Sequence, residues 1–411
     1  MAPAQGPDRS AGIDGPYAWA RLAVSVLIAT MGGAGMWAII VVLPAIQAEF
    51  GIDRADASLP YTATMLGFAV GNVVLGRAID AFGYWRPAFV ATLMLGAGFL
   101  LASISTGPLY LTVAQGLLIG AGSSATFGPL IADISHWFVR RRGVAVAAAA
   151  SGNYLAGAVW PLVIPPLMQA YDWRYAYAAM GLLCLVTMLP LLLLLRRPAP
   201  AAAYEPRPGG PAARPIGFSP GALQTLLIVA GFACCMAMAM PQVHLVAYCA
   251  DLGYGVARGA EMLSLMLAAG VISRMASGFV ADRIGAVPTL LIGSVGQGLA
   301  LLLYIPFDGL ASLYIVSAVF GLAQGGIVPC YALIVRETMP AAEAGRRVGL
   351  VVMATIVGMA AGGWMSGWIY DLTGSYAAAF LNGIGWNLLN VTVISVLLVR
   401  TGGIRWSVRT A

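Results

Sequence analysis

The chain has 411 residues, 60% of them hydrophobic and only 9% charged, with a formal net charge of +6. That balance, with a mean hydropathy of +0.86, leaves too little polar surface for a soluble domain and points to a multi-span membrane protein. All 22 basic residues are arginine, and they gather at helix ends rather than on one face, which argues against a nucleic-acid partner. Cys184, Cys234, Cys235, Cys249 and Cys330 fall inside apolar segments without a C-x-x-C pair or a Cys/His cluster. No disulfide framework, metal or cofactor is therefore expected.

The first twenty residues carry Asp8, Asp14 and several prolines and glycines, without the basic start and small-residue cleavage site of a signal peptide. The first apolar segment is expected to remain as a span. A bilayer core of about 30 Å takes about 20 residues of helix, and twelve segments reach that length. They lie near 18–46, 58–80, 86–105, 108–134, 143–169, 174–195, 221–249, 259–281, 287–306, 311–335, 347–370 and 376–400. The N-terminal segment, the even-numbered connections and the C-terminal segment carry 18 of the 22 arginines. The other connections carry only Arg54, Arg174 and Arg258. This bias predicts both termini in the cytoplasm of a multi-pass protein of the plasma (inner) membrane. The stretch "RRPAPAAAYEPRPGGPAARPIGFSP", residues 196–220, is dense in Pro, Gly and Arg and reads as a flexible cytoplasmic linker. It would join an N-terminal six-helix half (1–195) to a C-terminal one (221–411).

The two halves read as copies. The second span ends in "GRAIDAFGYWR" and the eighth in "GFVADRIGAVP", and Gly76, Asp80 and Gly83 match Gly278, Asp282 and Gly285 at a constant offset of 202. A G-x-x-x-D-x-x-G turn suits a tight helix reversal, with glycines for close approach and an Asp able to pair with arginines or a helix N-terminus. Parallel halves with such turns are the pattern of alternating-access carriers. "RRRG", ending in Arg142 and Gly143 before the fifth span, is echoed by "GRRVG" before the eleventh. These arginines hold the loops in the cytoplasm, so Arg142 is placed with the turn residues as structural.

On these features the sequence resembles the major facilitator superfamily over nearly its whole length, which implies an all-α membrane fold of twelve helices in two pseudo-symmetric halves. In that family the repeated turn acts as a latch of the outward-facing state; a plain topological anchor explains it equally well. A narrower resemblance is to the monocarboxylate transporter family. "DGPYAW" (Asp14–Trp19) is similar to its entry into the first helix, and "HWFVRRRGVAVAAAASG" (His136–Gly152) to its second signature. "PQVHLVAYCADLG" in the seventh span resembles bacterial carriers of the monocarboxylate and oxalate/formate type.

Arg274, in "VISRMASGF", lies eight residues before Asp282, or about 12 Å of helix into the membrane. The loop count leaves no other arginine inside. A buried guanidinium costs at least about 2.5–3.5 kcal/mol unless something compensates it. One reading is an anion site, since a carboxylate matches the guanidinium fork; the other is a structural arginine held by carbonyls and water. The resemblance favours the first, because a helix-eight arginine binds the substrate carboxylate in monocarboxylate carriers. It also implies an aspartate one turn earlier in the proton-coupled members, where this chain has Gly270, and a lysine elsewhere that this chain lacks. His244 in the seventh span suits either proton coupling or a structural hydrogen bond. Tyr331 in "VPCYAL" would donate to the bound anion. Tyr154, Asn153, Trp37 and Tyr61 are candidates for the cavity wall, with helix packing as the alternative for each.

The expectation is a secondary transporter of a small organic anion, a monocarboxylate, working by proton symport or anion exchange and functional as a monomer. The alternative is an exporter of a larger amphipathic compound. An enzyme is not expected, since no nucleophile, base and orienting group converge.

Overall fold

The computed structural model describes residues 12–198, 218–339 and 341–400. Among the described residues twelve helical segments are long and apolar enough to cross a membrane: α1 Pro16–Phe50, α2 Arg54–Phe82, α3 Trp85–Ser103, α4 Pro108–Ser135, α5 Arg142–Ala170, α6 Trp173–Leu193, α7 Pro220–Asp251, α8 Val256–Ile284, α9 Ala286–Leu303, α10 Leu310–Thr338, α11 Gly345–Thr373 and α12 Tyr376–Arg400. Each end falls within four residues of its expected place. Of the stretch 196–220 expected as a linker, residues 199–217 lie outside the described residues.

The internal repeat reappears in the backbone. Gly83 and Gly285 end α2 and α8 with φ of 75° and 95° and ψ of 169° and 161°, a region open to glycine and strained for other residues. Their N–H groups donate to Ile79 and Ala281 carbonyls, both at 2.9 Å. The packing repeats as well. A Cβ on Gly120 would lie 2.3 Å from the Thr64 carbonyl oxygen, bringing α4 onto α2; one on Gly325 would lie 2.2 Å from the Gly270 oxygen, bringing α10 onto α8. Small residues let helix backbones approach in this way. Gly76 and Gly278 differ from expectation: a Cβ at either would meet open space. In this state the turn needs only its last glycine.

The two signature segments, read separately in the sequence, touch each other. Asp14 accepts the backbone N–H groups of Val139 and Arg140, Tyr17 packs on Trp137 at 5.1 Å, and Trp19 meets Phe138 edge-on at 5.0 Å. Beneath them Arg21 donates from Nε and Nη2 to Asp133 at 2.9 and 2.8 Å and from Nη1 to the Leu195 carbonyl at 3.1 Å. This clasp joins the same-side ends of α1, α4 and α6. Arg21 is 2% exposed, which corrects the reading of it as a loop-level charge. The guanidinium enters the bundle because an aspartate awaits it there.

At the opposite end, a second buried arginine ties the halves together. Arg54, at the start of α2, pairs with Asp251 of α7 at 2.8 Å and donates to the Tyr376 hydroxyl of α12 at 2.5 Å. Asp371 of α11 accepts the backbone N–H groups of Arg54 and Ala55 at 2.9 and 2.7 Å, capping α2 from the other half where free N–H groups and the helix dipole favour an anion. Further hydrogen bonds between the halves reach inward from this cluster. Thr62 donates to Ala360, Ser264 to Ala158, and Arg274 to Ala150.

Candidate functional site

Where the halves meet at mid-depth they enclose a cavity of about 110 Å³. Met36 and Trp37 of α1 face it, as do Tyr61, Met65 and Phe68 of α2, Phe127 of α4, and Asn153 and Tyr154 of α5. From the second half come Cys235, Met238 and Gln242 of α7, Arg274 of α8, Val328 of α10, and Val352, Thr355, Ile356 and Met359 of α11. The wall is aromatic and sulfur-rich with a few polar groups, and Arg274 is its one charged residue.

Arg274 is fixed on three sides. Its Nη1 donates to the Ala150 carbonyl at 2.9 Å and its Nε to the Gly325 carbonyl at 3.3 Å. Its guanidinium lies over the Tyr154 ring, 4.2 Å from the centroid, a contact that favours a cation. Carbonyls and a ring orient the group without cancelling its charge. Among the described residues three arginines are buried, Arg21, Arg54 and Arg274. The first two pair with aspartates, whereas the ion pairs among the described residues leave Arg274 without an acid.

The departure at Gly270 has a steric cause. A Cβ there would lie 2.5 Å from Cε1 of Tyr154, so the ring that underlies Arg274 occupies the room an acidic side chain would need. The wall contains no Asp, Glu or His.

The structure thus brings Arg274, Tyr154, Asn153, Trp37 and Tyr61 to one cavity. Trp37 Nε1 donates to the Asn153 carbonyl at 3.0 Å and to its side-chain oxygen at 3.2 Å, locking α1 to α5 at the wall. Tyr331 and His244 lie outside the lining. The Tyr331 hydroxyl accepts from Asn390 at 2.5 Å on the side of α12. His244 Nε2 donates to the Gly363 carbonyl at 2.7 Å, joining α7 to α11. Of the turn residues, Gly76, Asp80, Gly83, Gly278, Asp282 and Gly285 sit at the far end of α2 and α8, and Arg142 begins α5.

Sequence reasoning turned Gln242 away from His244 without giving it a site role, and it left out Thr355; Gln242 Nε2 donates to Gln324 at 2.6 Å, and both Gln242 and Thr355 line the cavity. The signal was helical spacing: 235, 238 and 242 on α7, like 61, 65 and 68 on α2, follow one face.

The model of the Major Facilitator Superfamily matches residues 25–310 and 227–409. The chain belongs to the major facilitator superfamily. This carrier is 30% identical over 337 residues to "Monocarboxylate transporter 13" of Bos taurus, an alignment covering 79% of this chain and 75% of the relative. It is 26% identical over 308 residues to "MFS transporter asaE" of Aspergillus flavus, covering 73% and 67%. Among solved structures it is similar in fold to a bacterial homolog of the human lysosomal transporter Spinster in an inward-facing, occupied conformation. There the TM-score is 0.73 and the identity 14%, over 96% of this chain and 99% of the other. The chain is a multi-pass membrane transporter of this superfamily.

Proposed function

We propose that this transporter carries a small organic monoanion, a monocarboxylate, by alternating access, with Arg274 as the carboxylate site. The observation that supports this best is a buried, oriented guanidinium on the central cavity wall with no acid paired to it among the described residues. The resemblance to monocarboxylate transporters points the same way. Size agrees: an engineered cavity of about 150 Å³ holds benzene, so a cavity of about 110 Å³ suits a substrate of a few heavy atoms. An exporter of larger amphipathic compounds needs more room than this state offers.

Exchange is the coupling mode the wall favours over proton symport. Among the described residues no acid lines the cavity, and Tyr154 fills the room beside Gly270. Uptake of a panel of labelled carboxylates into proteoliposomes, with and without an imposed pH gradient, tests both parts. Saturable uptake of a small monocarboxylate, accelerated by the same anion inside and indifferent to the gradient, is expected. No uptake of any carboxylate would remove the substrate assignment, and gradient-driven uptake into empty vesicles would remove exchange.

In this reading the halves 1–195 and 221–411 rock about the 196–220 linker. The arginine bias supports a plasma (inner) membrane orientation with the repeated turns facing the cytoplasm, and in that orientation the Arg54 cluster closes the outer end. Opening it must break Arg54–Asp251 and uncap α2. Charge-assisted hydrogen bonds contribute about 1.5–3 kcal/mol each. An Asp371→Ala variant is therefore expected to shift the population toward an outward-open state by at least roughly tenfold. Spin labels at Asp56 and Arg258, both on the outer ends, would show a longer distance; an unchanged distribution would count against the clasp.

A further inference from the structure

A second recess lies apart from the central cavity. It is a groove of about 510 Å³ lined by Ile228 and Phe232 of α7, Leu350, Met353 and Val357 of α11 and Trp386 of α12. Every one of these side chains is apolar or aromatic, and the central mechanism uses none of them.

We propose that this groove seats one acyl chain of an anionic phospholipid, whose headgroup is held by Arg346 and Arg400. Two observations choose this occupant. The first is depth. Leu350, Met353 and Val357 continue a stripe that starts at Arg346, with spacings of four, three and four residues, so all four share a face of α11. From Arg346 to Val357 is about 16 Å of helix, close to half of a hydrocarbon core of about 30 Å. The groove is one leaflet deep.

The second observation is charge at its foot. The side chain of Arg346 is 74% exposed and stands 3.8 Å from Glu343, whose oxygen is already engaged by Arg347 at 2.6 Å. Arg347 also donates to the Pro220 carbonyl at 3.2 Å, which brings the feet of α11 and α7 together. Arg400 ends α12 with its guanidinium over Phe218, 5.5 Å from the ring centroid, two residues before α7 begins. The feet of the three helices that form the groove therefore converge, with two outward arginines at headgroup level. Basic pockets at such helix ends bind anionic headgroups, and the apolar groove above supplies the chain site.

The test uses the full-length protein in nanodiscs that differ only in headgroup, phosphatidylcholine against phosphatidylglycerol with identical chains, read by thermal unfolding and by lipid retained in native mass spectrometry. The wild type is expected to retain phosphatidylglycerol selectively and to unfold at a higher temperature in it. An Arg346→Ala/Arg400→Ala variant is expected to bind that lipid roughly 25-fold more weakly, about fivefold per arginine, and to lose the temperature difference. Ala354→Phe, which narrows the groove, is expected to release the lipid while uptake by the carrier persists. Equal retention by the double arginine variant would overturn the proposal. So would an Ala354→Phe variant that keeps its lipid but shows a raised KM for transport, since the groove would then be a substrate entrance, or dimers bridged through the groove.

Discussion

An Arg274→Lys carrier is expected to lose most of its carboxylate transport, although the charge is kept. Lysine offers a point charge in place of a planar fork and cannot stack flat on Tyr154 while donating to Ala150 and Gly325. Arg274→Gln removes the charge as well. Truncating one partner of a buried charge pair costs about 2–5 kcal/mol, which is roughly a 30-fold or greater fall in kcat/KM. Because no acid is stranded in the empty carrier, Arg274→Gln is expected to fold at least as stably as the wild type. Loss of transport with intact stability distinguishes a substrate site from a structural one. Wild-type uptake by either variant would sink the assignment, and unfolding of both would return Arg274 to a structural role.

Arg21→Ala is expected to do the reverse. It leaves Asp133, itself buried, with its charge unpaired, and it also removes a donor to Leu195 and a cation 4.8 Å from the Trp137 ring. Breaking a buried pair in this way costs about 3–5 kcal/mol, so a large loss in resistance to denaturant or heat should follow. An Arg21→Met/Asp133→Leu double variant, with both charges gone, should recover most of that loss. If Arg21→Ala costs under about 1 kcal/mol, the pair behaves as a surface bridge and the clasp beneath the two signatures is wrongly described.

These two arginines show what the sequence disclosed and what it hid. Span number, order and the repeated turn were legible because length, hydropathy and a constant spacing are one-dimensional signals. Arg274 was legible for the same reason, since its distance along α8 from Asp282 sets its depth. Arg21 was not, because its burial depends on Asp133, 112 residues away in sequence, and counting loop charges assigns both to an exposed end. Arg54 was hidden likewise, since its partners lie in the other half. Within the site, Tyr154, Asn153, Trp37 and Tyr61 were found as aromatic or polar residues at mid-span, whereas Tyr331 and His244 have that character but turn toward α12 and α11. Mid-depth is readable from the chain; the face a helix turns to its neighbours is set by packing. Gly270 is the clearest case. It reads as a missing acid in the sequence and as the space for the Tyr154 ring in three dimensions.

The most direct test of the anion site needs no transport. Thermal unfolding of the purified wild-type carrier and of Arg274→Gln should be followed with increasing concentrations of a small monocarboxylate and, separately, of its uncharged amide. The carboxylate is expected to raise the wild-type transition in a concentration-dependent way, as binding to the native state requires, with no effect on Arg274→Gln and no effect of the amide on either protein. Equal stabilisation of wild type and Arg274→Gln by the carboxylate would contradict the account.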